Sequence, residues 1–457
     1  ESVMGFAALG LAVFPVESAE EAAEAFHRLT RQSDAYAIIY VTETYAAALA
    51  PQIAKFETSV TPAVILIPGA NGSQGLGMSA LNAARTFGAE VVEEPGKWTV
   101  RGLAGKLHAP ANYLDCGNSG SVAYFATPMA ATIDDYTFVT GDAQIRRRPI
   151  DTTVSGINQL GGFAAHTLKG SVACPVIVHG IMRGGTARLP GKLSQMISGF
   201  MMAAPLLEGD TEILVDNPSE TPYIDITIDW MRRFGVELEH AADYSRFALR
   251  GRQGYRAVDA MIPADWSAAA FPLVAALVTG GKLIVDGVDF NDCQGDKAVV
   301  DYLAEMGADI VRDTEGGRLV IHGGRLTGGR TIDMSNTPDA LPAMSVAAAF
   351  AEGDTRFTGL TTVRLKETDR VSVMAEELGK LGVSVDYDAD SMTVHGGAAM
   401  HGAVTESHDD HRVAMALSVA GLAIDGETVI KDAECATVSF PGFFDVMRGV
   451  GADFTSK

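Results

Sequence analysis

Charged side chains are concentrated in one short segment, residues 364–370 (RLKETDR), where five of the seven residues carry a charge. Lys366 and Glu367 are adjacent there. A proton donor and a carboxylate therefore lie within fixed positive charge, as acid–base chemistry on an anionic substrate requires. A surface ion network is the alternative interpretation. A functional site is favoured because Asp339 and residues 410–412 (DHR) flank the segment with the same kinds of charge.

Two of these flanking positions stand at the beginning of apolar helices. Asp339 follows Pro338 and precedes the run ALPAMSVAAAF, where its carboxylate is either a helix cap or a general base. His411 and Arg412 precede or open the run VAMALSVAGLA, which puts a titratable imidazole and a guanidinium at a helix N-terminus. Both positions carry groups that can hold or move protons.

Three further segments have residue types that suit an anion. Residues 115–121 (DCGNSGS) end a strand and open an apolar helix, so small residues expose backbone N–H groups at a helix N-terminus; a simple tight turn is the alternative. The triplet 146–148 (RRR) can hold a carboxylate or phosphate, or can be a solvated surface run. Ser194 and Gln195 open a helix rich in Met and Ala, where they either contact a phosphate or merely cap the helix.

Composition limits the classes of partner. The chain has 457 residues, a formal net charge of −22 and 47% hydrophobic residues, typical of a globular protein with two to four domains. Such an acidic chain repels nucleic acid and anionic membranes, so a small anionic substrate needs a local basic pocket. Four cysteines without a CxxC pair argue against zinc and disulfides and suit a reducing cytoplasm.

Targeting signals are not apparent. No apolar run reaches the roughly 18 residues of a membrane span, and no signal peptide is visible. The sequence opens at Glu1 in mid-pattern, so we expect the native N-terminus to be missing or processed.

The chain has two textures. Up to residue 87 apolar strands alternate with helices, which predicts a doubly wound α/β segment: strands at 11–16, 36–42 and 63–67, and helices capped by Ser18, at 44–56 and from Met78. From Phe87 onward a helix–strand phrase recurs, which predicts repeated units in more than one lobe with a hinge near 251–254. The phrase reads FGAEV at 87–91, FGVEL at 234–238, MGADI at 306–310, LGVSV at 381–385 and VGADF at 450–454.

Seven motifs together resemble the family of 5-enolpyruvylshikimate-3-phosphate synthases, the 3-phosphoshikimate 1-carboxyvinyltransferases of the shikimate pathway. They follow the family's order and spacing within a stretch that runs from about residue 87 to the C-terminus: GNSG at 117–120, RRRPI at 146–150, PYIDIT at 222–227, NTPDALPAM at 336–344, RLKETDR at 364–370, DDHRVAMALSVAG at 409–421 and SFPGFFD at 439–445.

The resemblance implies a fold class. It is the α/β (α+β) enolpyruvyl transferase fold of two lobes, an inside-out α/β barrel built from repeated βαβαββ units, with ligands bound between the lobes. On this basis residues 87–254 form the first lobe, whose first unit is incomplete, and residues 255–457 form the second.

The resemblance also implies a reaction. The 5-hydroxyl of shikimate 3-phosphate attacks the central carbon of phosphoenolpyruvate, and the adduct then loses phosphate, a step of chorismate and aromatic amino acid biosynthesis. No metal or cofactor is implied. We expect a cytoplasmic monomer that binds these two small substrates and neither nucleic acid nor membrane.

The same motifs imply roles for individual residues. Four handle protons: Asp339 as the base for the hydroxyl, Glu367 at the methylene carbon, Lys366 as a substrate-contacting acid–base partner and His411 in the proton network. The implied substrate contacts are Arg148, Arg370 and Arg412 for phosphoenolpyruvate, Ser194, Gln195 and Tyr223 for shikimate 3-phosphate, and Asn118 and Gly120 beside the reacting carbon.

The sequence departs from the family in its cations. The N-terminal Lys-Ser followed by Arg is not found, Tyr124 stands where the helix after GNSG carries Arg, and Val438 stands where many members carry Lys. Without the first Lys and Arg, electrostatic stabilisation is weakened. A ligand-binding member without catalysis is therefore an alternative. A transferase acting on a UDP-sugar is another, although the KETDR and DDHR phrases favour the shikimate enzyme.

Residues 1–85 resemble a different family, the F-type stalk component of V-type and archaeal-type rotary ATPases. The phrases that carry the resemblance are ESVMGFAALGLAVFPV, AYAIIYVTE and PAVILIPGANGSQGLGM. They imply a small α/β segment over residues 1–86 without catalysis of its own, fused to the second pattern within GMSALNAARTFGAEV. A stalk component of a rotary ATPase is thus a further alternative function.

Overall fold

The computed structural model of the chain describes residues 16, 18–31, 38–42, 49, 63–67, 77–94 and 96–455. The chain divides into two compact units, Glu1–Gly75 and Leu76–Lys457. Two predicted elements of the N-terminal unit, a strand at 11–16 and a helix at 44–56, lie almost entirely outside the described residues.

The described part of the N-terminal unit contains one helix and two paired strands. Ser18 caps helix α1 (Ala19–Arg31), because its Oγ accepts a hydrogen bond from the backbone N–H of Glu21 at 3.1 Å, the geometry of a capping box. Strands β1 (Ile38–Thr42) and β2 (Ala63–Ile67) are parallel neighbours. The cap and both strands were predicted from the sequence, and a parallel pair of apolar strands agrees with a doubly wound segment.

The C-terminal unit opens with a partial repeat and continues with two complete ones. The partial repeat consists of α2 (Gly77–Thr86), β3 (Glu90–Glu94) and β4 (Lys97–Arg101). The next comprises β5 (Leu114–Asp115), α3 (Gly120–Ala130), β6 (Tyr136–Thr140), α4 (Asp151–Gln159), β7 (Phe163–His166) and β8 (Val176–His179). The one after it comprises β9 (Gly185–Pro190), α5 (Ser194–Ala203), β10 (Thr211–Asp216), α6 (Thr221–Arg233), β11 (Leu238–His240) and β12 (Arg246–Leu249).

Its second half has one complete repeat between two partial ones. The first of the three comprises α7 (Trp266–Val278), β13 (Lys282–Asp286), α8 (Val299–Glu305), β14 (Asp309–Asp313) and β15 (Arg318–His322). The complete repeat comprises β16 (Arg330–Asp333), α9 (Leu341–Phe350), β17 (Gly353–Thr358), α10 (Arg370–Lys380), β18 (Ser384–Tyr387) and β19 (Ser391–Gly396). The last comprises β20 (Val404–Glu406), α11 (His411–Gly421), β21 (Val429–Lys431) and α12 (Phe443–Gly449).

The three complete repeats have the same sheet. Their strand orders are β5-β6-β8-β7, β9-β10-β12-β11 and β16-β17-β19-β18, and in each the first two strands are parallel while the others are antiparallel. Each repeat is therefore a βαβαββ unit, which confirms the fold class predicted from the sequence. The partial repeats fit the same scheme, since β13-β15-β14 reproduces its last three strands and β3-β4 its last two.

Two hydrophobic cores lie in the C-terminal unit, one built from residues within 83–249 and one from residues within 266–447. Helices α7, α9 and α11 pack against one another in the second core and are buried on nearly every side, as expected of helices that are apolar all round. In the first core α3 packs on α5 so closely that a Cβ at Gly199 would collide with the backbone carbonyl of Tyr124. Among the described helices, none combines the length and apolarity needed to cross a bilayer.

Candidate active site

The core helices bring their N-termini together. At these ends the Gln195 amide of α5 donates to the Ser121 hydroxyl of α3 at 2.8 Å. Arg412 of α11 donates to the Ser267 hydroxyl of α7 at 3.1 Å and pairs with Asp339, just before α9, at 3.0 Å. The five helix N-termini are the positive ends of their dipoles, so the shared space between them favours anions.

Arg370 is the centre of the charge cluster. It is 0% exposed, and its guanidinium donates to Asp410 at 2.8 Å, to Asp339 at 2.9 Å and to Glu367 at 2.7 Å. Burial alone would lower the pKa of this side chain, but the three carboxylates, Asp410 first, overcome that effect and raise the pKa. Arg370 is therefore a permanent cation that holds three acids in fixed positions.

Asp339 lies between cations. Besides Arg370, its carboxylate contacts Arg412 at 3.0 Å and lies 4.0 Å from the Lys366 ammonium. Burial favours the neutral acid, yet the attraction of Arg412, Lys366 and Arg370 holds the pKa of Asp339 well below its usual range. The free site thus presents an ionised carboxylate within reach of three positive groups.

Lys366 is held by a residue that the sequence did not single out. Its ammonium donates to the Glu220 carboxylate at 2.6 Å and lies 5.9 Å from the centre of the Tyr223 ring. Glu220 is 1% exposed and also accepts from the Ser194 hydroxyl at 3.0 Å. Burial would lower the pKa of Lys366, whereas Glu220 and then Asp339 raise it, so the side chain stays protonated. No motif signals Glu220, because only tertiary packing buries it.

Contacts across the two cores close one side of the site. Arg148 donates to Glu367 at 2.8 Å, and Gln144 donates to the carbonyl and carboxylate oxygens of Asp409 at 2.7 and 2.8 Å. The Arg148 guanidinium packs directly on Gly120, where a Cβ would lie 2.8 Å from it. Gly120 is therefore required by close approach, and the arginine clamp predicted to reach across the lobes is paired with an acid of the second core.

Two buried groups have opposite titration tendencies. Burial lowers the pKa of His411 to about 4, although Asp410 and Glu367 act against the shift, so the imidazole is neutral near pH 7. Burial followed by repulsion from Asp339 raises the pKa of Asp296 to about 7. Asp296 accepts a hydrogen bond from the Tyr223 hydroxyl at 2.8 Å, and burial keeps the pKa of that phenol well above its usual range. Asp296 is a second buried acid that the sequence motifs did not reveal.

A cavity of about 780 Å³ opens beside this cluster. Of the twelve site residues predicted from the sequence, six line it: Ser194, Gln195, Tyr223, Asp339, Lys366 and Arg412. Four more, Arg148, Glu367, Arg370 and His411, belong to the adjoining ion network. Gly120 packs on Arg148, and Asn118 is tied to Asp142 by its side-chain amide at 2.7 Å. Of the arginine triplet, only Arg148 reaches the site, since Arg146 donates to the carbonyl of Gly141 in its own loop.

Two groups of acids and histidines have metal-like spacing, and both are bound to cations of the protein. Glu367, Asp410 and His411 form the first, but both carboxylates accept from the Arg370 guanidinium. Glu376, Glu377 and His408 form the second, where Lys380 donates to both glutamates at 3.0 and 2.7 Å. The ammonium and guanidinium groups already neutralise these acids.

Comparison with known proteins identifies the family. Residues 78–447 match the family model described as EPSP synthase (3-phosphoshikimate 1-carboxyvinyltransferase). The chain belongs to the EPSP synthase family. Residues 1–83 match a second model, described as ATP synthase (F/14-kDa) subunit, and that similarity is confined to the N-terminal segment. Both resemblances predicted from the sequence are therefore confirmed.

Relatives within the EPSP synthase family cover most of the chain. The 3-phosphoshikimate 1-carboxyvinyltransferase of Ruminiclostridium cellulolyticum is 40% identical over 374 residues, which cover 82% of this chain and 87% of the relative. The enzyme of the same name from Halobacterium salinarum is 40% identical over 379 residues, covering 81% and 87%. The solved EPSP synthase structure from Acinetobacter baumannii superposes with a TM-score of 0.68 at 28% identity, covering 82% and 87%.

Proposed function

We propose that this chain transfers the enolpyruvyl group from phosphoenolpyruvate to the 5-hydroxyl of shikimate 3-phosphate and releases phosphate. Its membership of the EPSP synthase family supports the reaction. The observation that carries the proposal is the buried Asp339 carboxylate, which contacts Arg370 and Arg412 and lies 4.0 Å from Lys366 at one end of a cavity. This geometry offers a base together with cations for two phosphorylated substrates.

The domain division is part of the same proposal. We assign residues 1–86 to the N-terminal α/β segment, 87–254 to the first lobe and 255–457 to the second. Two separate hydrophobic cores, within 83–249 and 266–447, support the division into lobes. The cysteines within the described residues are all free, which supports a reducing cytoplasm, and we propose a monomer acting on small molecules only.

Asp339 takes the proton of the attacking hydroxyl in this proposal. In the free site its pKa is depressed by the neighbouring cations, which makes it a weak base. Phosphate and carboxylate groups of the substrates compete for the hydrogen bonds of Arg412, Lys366 and Arg370. Once those cations bind substrate, they stabilise the Asp339 carboxylate less, so its basicity rises when the hydroxyl is in place.

A second proton is added to the methylene carbon of phosphoenolpyruvate as the new carbon–oxygen bond forms. Lys366 is protonated and points into the cavity, while Glu367 is held between Arg148 and Arg370. We assign the donor role to this adjacent pair, with neutral His411 beside it as a relay. Loss of that methylene proton together with the phosphate restores the double bond and completes the transfer.

Substrate binding must also displace internal pairs. Arg148, Lys366, Arg370 and Arg412 all contact carboxylates in the free site. Each substrate anion therefore replaces an acid rather than filling an empty cation. Ser194, Gln195 and Tyr223 are assigned to shikimate 3-phosphate because their polar groups line the same cavity, and Asn118 and Gly120 to the loop beside the reacting carbon.

Phosphate release from shikimate 3-phosphate and phosphoenolpyruvate tests the reaction. The variant Asp339→Asn should lower kcat at least a hundredfold, because a general base contributes about 10²–10⁴ in rate. The control Asp259→Asn changes an exposed acid of the same kind and should leave kcat unchanged. Phosphate release with a UDP-sugar in place of shikimate 3-phosphate would favour the related transferase. Calorimetric binding without any phosphate release would favour a ligand-binding protein, and an unchanged kcat in Asp339→Asn would refute the role of that residue.

A further inference from the structure

The first core has one core helix fewer than the second. In every complete repeat an apolar helix connects the first two strands: α3, α5 and α9. Helices α7 and α11 hold the same place in their partial repeats, so the second core has three such helices packed on one another. Among the described residues the first core has only α3 and α5, because its partial repeat begins at α2, which corresponds to α4 and α6 of the complete repeats.

A groove occupies the place of the third helix. It is the apolar part of the 780 Å³ cavity, and in the described part of the chain its walls come from α2, α3, α5 and α6. Representative lining side chains are Ala84, Phe125, Met202 and Trp230. Each of these side chains is partly exposed, whereas the outer surfaces of α9 and α11 are fully covered by their neighbours. An apolar groove of this size on a single chain marks an interaction surface.

The inner end of the groove is polar and acidic. Glu220 and Asp339 line it, and the Gln195 Oε1 oxygen, buried there, accepts no hydrogen bond from the described residues. Around the site as a whole, the four cations Arg148, Lys366, Arg370 and Arg412 face five carboxylates, on Glu220, Asp296, Asp339, Glu367 and Asp410. Two anionic substrates would add further negative charge. A segment that enters this end therefore fits best if it carries positive charge and free donors.

We infer that the groove is a docking site for an apolar helical segment of another polypeptide with Lys or Arg in its first turn. The segment is ten to thirteen residues long, the range of the five core helices already in the structure. Its apolar side covers the exposed faces of α2, α3 and α6, and its N-terminal N–H groups and basic side chains meet Gln195 Oε1, Glu220 and Asp339. The inference deepens the proposed function, since the segment would add cations beside the substrates.

Peptide binding tests the inference without relying on turnover. The probe is the fluorescein-labelled peptide SKRALAALLAAL, amidated at its C-terminus, titrated with the full chain and followed by anisotropy, while the emission of Trp230 reports entry into the groove. We expect saturable binding below 100 μM and a blue shift of tryptophan emission. The peptide SEEALAALLAAL, which replaces both basic residues by acids, should bind at least tenfold more weakly.

Two matched variants locate the peptide. Ala84→Trp fills the groove and should weaken binding at least tenfold, whereas Ala304→Trp on exposed helix α8 should leave it unchanged. Absence of saturation at 1 mM peptide, equal binding by Ala84→Trp, or equal binding of the acidic peptide would each overturn the inference. Phosphate release is measured in parallel. Binding with unchanged phosphate release would support the docking site and count against a catalytic contribution, whereas an active enzyme that binds no peptide would overturn only the docking site.

Discussion

His411 should make the stability of the fold depend on pH in a way that one substitution can isolate. The imidazole is 7% exposed at the start of α11, and its Nδ1 has no hydrogen-bond partner among the described residues. Its charged neighbours are Asp410, Glu367, Arg412 and Arg370. Burial is the largest effect and lowers the pKa to about 4 even though the two acids favour protonation.

The sign and size follow from linkage. An unfolded histidine has a pKa of about 6.5, so between pH 6.5 and 4 the unfolded chain binds a proton that the folded chain does not. The stabilising contribution is complete above pH 6.5 and is lost as the pH falls toward 4. Between pH 7.5 and 5.0 the expected loss is about 2 kcal/mol, and it approaches about 3 kcal/mol below pH 4.

Urea unfolding of the full chain at pH 7.5 and 5.0, followed by tryptophan fluorescence, measures this loss. The free energy of unfolding of His411→Asn should change less between the two pH values than that of the unsubstituted protein, by about 2 kcal/mol. Other titrating groups, including Asp296 with its opposite tendency, are common to both proteins and cancel in this difference. The variant His401→Asn, at an exposed histidine, should behave like the unsubstituted protein. If His411→Asn kept the full pH dependence, the argument from burial would be wrong.

Two further predictions concern the carboxylates that hold the cations. Glu220→Gln removes the nearest anion from buried Lys366, so the pKa of that ammonium should fall and the alkaline limb of the pH–rate profile should move at least one unit lower; an unchanged limb would show that Glu220 does not govern Lys366. Asp410→Asn keeps a cap for α11 but takes one charge from Arg370, and urea unfolding should show a loss of about 3–5 kcal/mol, whereas Asp445→Asn at an exposed acid should lose less than about 0.5 kcal/mol.

Local sequence signals were sufficient for much of the architecture. The Ser18 cap, the paired strands at 38–42 and 63–67, and the recurrence of the helix–strand phrase all depend on residues close to one another in the chain. The runs that became α9 and α11 were recognisable as buried helices because they are apolar on every side. Lys366, Glu367 and Arg370 lie in one motif, so their proximity needed no tertiary structure.

The sequence by itself therefore determined the repeating fold and the set of charged groups, since caps, periodicity and adjacent motif residues act over a few positions. Tertiary structure alone decided how those charges are used. It paired Arg148 with Glu367, brought Glu220 to Lys366, and buried Asp296 beneath Tyr223. Burial and long-range ion pairing set these outcomes, because the energy of a charge depends on the solvent it loses and the partner it meets, and neither is written in its neighbours along the chain.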